Sequence, residues 1–217
     1  MSYQSIANRA PSTNRLGWGV TLVLASLVSL ASMRYLAGGE IMAPPPLKAN
    51  FLDHPLAFYV HIAAASTALL VGPWQFLARL RQTMPQVHRT MGKVYVSACF
   101  VGGSAAIVIA PSSNGGWVAA AGFLCLAALW LWTTGMAVFA IRAGRVEAHR
   151  RWMRRSFALT LAGVTLRLYL PLAFTSFVTF PIAYAAIAWL CWAPNLLLAD
   201  GLGRGQTNND ISPTVSG

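Results

Sequence analysis

WVAAAGFLCLAALWLWTTGMAVFAI, residues 117–141, runs for 25 positions without a charged side chain, preceded by the turn Pro111-Ser112-Ser113-Asn114-Gly115-Gly116 and followed by Arg142. One helix needs about 20 mainly apolar residues to cross a bilayer core, so this stretch is long enough by itself. Outward from it, the 217-residue chain offers five more apolar runs, at 16–36, 56–78, 92–110, 156–176 and 182–199. Their separators are of the kind that stop helices. Gly38, Gly39, Pro44, Pro45 and Pro46 close the first run, and Asp53-His54-Pro55 reads as a cap with proline in the first turn of the second. The predicted fold is all-α, a polytopic transmembrane helical bundle of about six spans. It comprises a cytoplasmic segment 1–15, a transmembrane domain 16–199, and a disordered cytoplasmic tail 200–217 rich in Gly, Asn, Thr and Ser. The first run is read as an uncleaved anchor, being long for a signal peptide and lacking a small-x-small cleavage site.

Composition agrees with the runs: 56% of the residues are apolar and 10% charged, far from the soluble average. Sixteen Lys and Arg against five Asp and Glu give a formal charge of +11. In a soluble chain that excess would suggest nucleic acid, but here the charges cluster between apolar runs, as in the cytoplasmic flanks of a membrane protein. Anionic lipid at the inner face is the expected partner, and nucleic acid is not. With the amino terminus inside, the cytoplasmic segments hold Arg9, Arg15, Arg79, Arg81, Arg89, Lys93, Arg142, Arg145, Arg150, Arg151, Arg154, Arg155 and Arg204, which is 13 of the 16. Only Arg34, Lys48 and Arg167 fall elsewhere. The asymmetry puts both termini in the cytoplasm. Cys99, Cys125 and Cys191 all lie inside apolar runs and read as packing residues rather than a disulfide framework.

Polar residues inside the runs need a reason. His54, His61 and Gln75 recur at multiples of seven, which would put them near one helical face, either as interhelical hydrogen-bond formers or, for His61, as a ligand to a metal or cofactor. Arg167 is the most expensive residue to insert, at roughly 2.5 to 3.5 kcal/mol for a central Arg. Glu40, Asp53, Glu147, Asp200 and Asp210 all lie in loops or at ends. Its partners are therefore backbone carbonyls, Thr133, Thr134, Gln75, water or an anionic ligand, unless it snorkels to the inner face. Two inner stretches hold the densest chemistry, 85–93 with His88-Arg89 and 147–155 with His149-Arg150, each leading into an apolar run. They serve as interfacial anchors, with Glu147 spaced to pair with Arg151. Anchoring leaves the repeated histidine unexplained. There is no HExxH, GxSxG or GxxxxGK[ST] motif, and four scattered histidines are too few for a membrane di-iron centre.

The string Gly72-Pro73-Trp74-Gln75-Phe76, then Arg79, Arg81, Pro85, His88-Arg89, Gly92-Lys93 and Tyr95, followed by His149 to Ser156 and Arg167, resembles a family of predicted bacterial membrane proteins known as domain of unknown function 2306. The likeness covers roughly residues 58–172 and implies a multi-pass inner-membrane protein without an established reaction. The chain is more weakly similar to transmembrane b-type cytochromes, which implies haem b held between histidines of different helices. His54 and His61 share one helix and cannot clamp one iron, whereas His88 and His149, with Arg89, Arg150 or Lys93 near the propionates, are permitted as such a pair. An outer site would need His61 with a ligand other than histidine. Two functions follow from these residues. One is a b-type haem electron-transfer protein with its site at the cytoplasmic face, and the other a non-enzymatic protein that binds or transports an anionic lipid or small anion, with His61, Gln75 and Arg167 as further binding candidates.

Overall fold

A computed structural model describes residues 15–43, 45–175 and 177–209; the expected amino-terminal segment up to residue 14 and the tail 210–217 lie outside the described residues. Ten α-helices follow one another: α1 (Arg15–Gly38), α2 (Pro45–Asp53), α3 (Pro55–Val71), α4 (Ala78–Thr83), α5 (Pro85–Ile109), α6 (Gly116–Arg142), α7 (Val146–Thr160), α8 (Ala162–Thr175), α9 (Phe180–Leu190) and α10 (Ala193–Asn209). There is no strand among the described residues. Six stretches are long and apolar enough to cross a membrane: Leu16–Gly38, Pro55–Phe76, Pro85–Ser112, Gly116–Arg142, Val146–Thr175 and Phe180–Gly201. They correspond one to one with the six apolar runs.

The bundle is ordered by close contacts of small residues, which lipid-embedded helices use because apolar burial gives no preference for protein over acyl chain. Gly102 of α5 lies against Ala64 and Ala65 of α3, and Gly122 of α6 against the Ala188 carbonyl of α9. α1 packs on α3, α6 on α5, α7 and α9, and α10 on α7. Two hydrogen bonds fix α1: Trp18 Nε1 donates to the Pro73 carbonyl at 3.0 Å, and Ser29 Oγ to the Ser66 carbonyl at 2.8 Å.

Four details depart from expectation. α5 and α7 begin at Pro85 and Val146 rather than near 92 and 156, so His88 and His149 sit within the first turns of helices and not in loops. Proline at the first helical position and Glu147 in the first turn of α7 are the local causes. Secondly, Pro73 lacks an N–H and breaks α3, placing Gln75 in a 3₁₀ turn, Pro73–Phe76, instead of on the helical face of His61. Thirdly, the connection between the first two spans contains the unexpected helix α2. Lastly, α10 continues through Asp200 to Asn209, beyond the expected end at 199.

The fifth and sixth spans are each interrupted once. Between α7 and α8, Thr160 Oγ1 turns back to the Ser156 carbonyl at 3.0 Å, a competition that bends helices. Between α9 and α10, Pro194 cannot donate to the Leu190 carbonyl. Asn195 bridges the two interruptions, its Nδ2 donating to Thr165 Oγ1 at 3.0 Å and to the Cys191 carbonyl at 3.1 Å.

At the centre, α5, α6 and α7 are joined by hydroxyls. Tyr95, fully buried, has its hydroxyl 3.0 Å from Ser156 Oγ and 2.8 Å from Thr160 Oγ1. Trp130 Nε1 donates to Thr160 Oγ1 at 2.9 Å, while Thr134 Oγ1 lies 2.7 Å from Ser156 Oγ and donates to the Trp130 carbonyl at 2.7 Å. Thr134 and Thr160 each end on a backbone carbonyl, so the chain holds the three helices together.

Candidate functional site

One end of the bundle carries α4, the amino termini of α5 and α7 and the carboxyl terminus of α6; we call it the basic end. A Schellman closure shapes it. Gly144, with φ of +70°, lets its N–H reach the Ile141 carbonyl and the Arg145 N–H reach the Ala140 carbonyl, which turns the chain directly into α7. His149 is thereby folded back over α6, where Nδ1–H donates to the Ala137 carbonyl at 2.9 Å. Because a carbonyl only accepts, the neutral ring keeps its lone pair on Nε2.

Gln75 enters the same region from the 3₁₀ turn. It is 8% exposed, and its Nε2 has no hydrogen-bond partner. Its backbone carbonyl accepts from Arg81 Nη1 at 3.2 Å, and its Oε1 lies against Gly92, where a Cβ would be 3.4 Å away. His88 is one turn before Gly92 on the same face of α5. The imidazole is half-buried, Nδ1 is likewise buried without a partner, and Arg81, His149 and Arg89 are its neighbours. Burial, and then the like charge of Arg150, lower the pKa of the Arg81 guanidinium from its ordinary value. An incoming anion would relieve that strain.

The structure thus gathers Gln75, Arg81, His88 and His149 from four elements. Arg89 and Arg150 lie at the rim, exposed. Glu147 pairs with Arg150 at 2.6 Å rather than with Arg151, three-residue spacing being as close as four on a helix. Asp200 pairs with Arg155 at 2.7 Å. The sequence offers Arg81 as one of the inner basic residues and as part of the string that carries the family resemblance, without marking it as a binding residue; its contact with the Gln75 carbonyl does that.

A second polar region lies in the other half of the bundle. A cavity of about 280 Å³ is lined by His61 and Arg167 together with Tyr35, Asn50, Ser113 and Tyr184, with Trp130 and Thr160 also in its wall. His61 Nδ1–H donates to the Gly102 carbonyl at 2.9 Å, and Arg167 Nη1 to the Gly163 carbonyl at 3.0 Å. Arg167 does not use Thr133, Thr134 or Gln75. The threonines back-bond within α6, and Gln75 is at the basic end. His54 is exposed at the cap of α3 and makes no side-chain capping bond. Among the described residues no group of three or more His, Cys, Asp or Glu could hold a metal ion.

A family model described as a predicted membrane protein matches residues 58–202. It extends past the resemblance seen in the sequence, which ended near 172, and takes in α9 and the first half of α10. No curated protein and no solved structure matches the chain.

Proposed function

We propose, for a chain that belongs to the domain of unknown function 2306 family of predicted membrane proteins, that the basic end binds a phosphate-type anion, with the headgroup of an anionic lipid as its natural source. The observation that carries this is the pair of orphaned polar atoms, Gln75 Nε2 and His88 Nδ1. Buried polar groups are otherwise satisfied in folded proteins, so two unpaired ones on neighbouring elements leave room for a ligand to satisfy them. Arg81 supplies a permanent charge and His149 a second imidazole, while the nearby carboxylates Glu147 and Asp200 are already engaged. The same reading puts both termini in the cytoplasm of a bacterial inner membrane, supported by the gathering of Lys and Arg at this end.

In nanodiscs of zwitterionic lipid, a short-chain anionic phospholipid is expected to raise the unfolding temperature, and the double variant Gln75→Leu with His88→Ala to abolish most of that rise. Inorganic phosphate acting as strongly would identify a free anion as the ligand. No response to either in the wild type would reject the site. Orientation is checked separately: a reporter active only outside the cytoplasm should give signal fused near Gly115 and none near Gly144, and the reverse would invert the topology.

A second reading has one observation in its favour. His149 is held through Nδ1 by a backbone carbonyl, the arrangement that orients Nε2 in ligating histidines, and His88 lies beside it on another helix. A haem b would be held by these two residues, with Arg81, Arg89 and Arg150 near its propionates, and it would supply one-electron transfer. Protein purified from haem-replete cells should then show a Soret band that shifts on reduction and is lost in His149→Ala. A colourless, folded preparation excludes it.

A further inference from the structure

The cavity between the helices is not needed for the basic-end site, and its chemistry is different. Arg167 faces it about eight residues before the end of α8, roughly 12 Å along the axis, so the side chain lies in the half of the bundle away from the basic end. Neither ion pair of the described residues involves it, and Tyr35 and Tyr184 share the cavity wall with it. A guanidinium has five N–H donors, of which one is committed to the Gly163 carbonyl. A second, independent feature belongs to the same wall. Ser113, one of the residues lining the cavity, is 9% exposed, and its Oγ is buried without a partner. The rest of the wall is largely aromatic and aliphatic, including Phe58, Phe123, Leu126 and Trp130.

We propose that this cavity is a binding site for a monocarboxylate with a compact apolar body, the carboxylate seated on Arg167 and Ser113 and the body packed among the aromatic rings. Three arguments select this class. A planar fork matches a carboxylate in two parallel hydrogen bonds. One half-buried cation balances one negative charge, whereas a dianion would leave the second uncompensated and a neutral molecule would leave the arginine so. At about 280 Å³ the space falls just below the usual span of ligand sites, about 300 to 1,000 Å³, which limits the body to a compact one. His61 completes the recognition. Its Nδ1–H is committed to Gly102, so the neutral ring offers Nε2 as an acceptor to a donor group on the body. Phe51 of α2, itself buried, stacks on Phe58 at 5.2 Å and covers the cavity from the loop side, with Asn50 beside it.

The test varies the head group at constant body. Benzoate, benzyl alcohol and benzylamine are titrated into the protein in nanodiscs of zwitterionic lipid and binding is read by calorimetry. Benzoate is expected to bind and the other two to bind at least about tenfold more weakly, the worth of a charge-assisted pair. Arg167→Leu should lose benzoate binding by about tenfold or more, Arg167→Lys should recover part of it, and Ser113→Ala should weaken it by a smaller factor. The unfolding response to short-chain anionic phospholipid at the basic end reports that each variant is folded. Should Arg167→Leu fail that check, Arg167→Lys and Ser113→Ala carry the test between them. Equal binding of benzoate and benzylamine, or benzoate binding unchanged in every folded variant, overturns the proposal.

Discussion

Replacing Tyr95 with alanine is expected to give the largest loss of stability of any single change in the core. The ring is fully buried where α5 meets α6 and α7, and its removal leaves a void that rigid helices close only in part. Losses of this kind cost about 3–5 kcal/mol for an aromatic residue. In the same stroke the hydroxyls of Ser156 and Thr160, both on buried residues, lose a partner. Tyr95→Phe isolates that second effect, since the ring stays and only the oxygen goes, and should cost about 1–3 kcal/mol. Reversible unfolding in mixed detergent micelles should therefore rank the midpoints alanine lowest, phenylalanine intermediate and wild type highest. A phenylalanine variant as stable as the wild type would mean that the hydroxyl chain contributes nothing net.

Gly72→Val is the second change expected to be severe. Even an alanine Cβ at this position would meet Phe157 Cδ2 at 2.7 Å and the Ala68 carbonyl oxygen at 2.9 Å. Phe157 is itself wedged against Phe76, ring centroids 5.0 Å apart, so it has little room to give. Overpacking costs typically about 1–3 kcal/mol, and a β-branched residue crowding backbone as well as a ring belongs at or above the upper end. The displacement also has a direction. Gly72 is the last step before the 3₁₀ turn that holds Gln75, so the variant should lose the response to anionic phospholipid more completely than its stability loss predicts. Shrinking Phe157 to Leu in the same chain should recover part of both, and strict additivity of the two substitutions would show that the contact is not the cause.

The fold was legible because runs such as 117–141 answer a single physical demand, that of spanning hydrocarbon, and charge placement marks their ends. Helix starts were less legible. Val146 to Arg155 is polar enough to read as a loop, yet it forms a helix because its apolar residues, Trp152 and Met153 among them, fall where α7 folds back on the bundle. The pairing of His88 with His149 was readable as two similar motifs before two runs. What could not be read was that Gln75 would join them, since that depends on Pro73 ending α3 one turn early. Nor did sequence spacing show that His61 and Arg167, 106 positions apart, line one cavity. Ser113 carried no signal, being one serine in a turn full of small residues.

The two interrupted spans have a mechanical consequence. Leu161 and the Cys191–Trp192 step divide neighbouring staves of the barrel, and Thr160, Ala162 and Cys191 around them border the cavity. Below that level α7 and α10 are clamped by Arg155 and Asp200; above it α8 and α9 lean on each other, with Phe174 and Phe180 stacked at 5.1 Å. A rod with two adjacent joints bends at the joints before it bends anywhere else, and here Asn195 splints them. Compliance is thus concentrated along one line beside the cavity, where α8 can flex at its joint with α7 while α9 stays seated on α6 of the hydroxyl-locked half through Gly122 and Trp189.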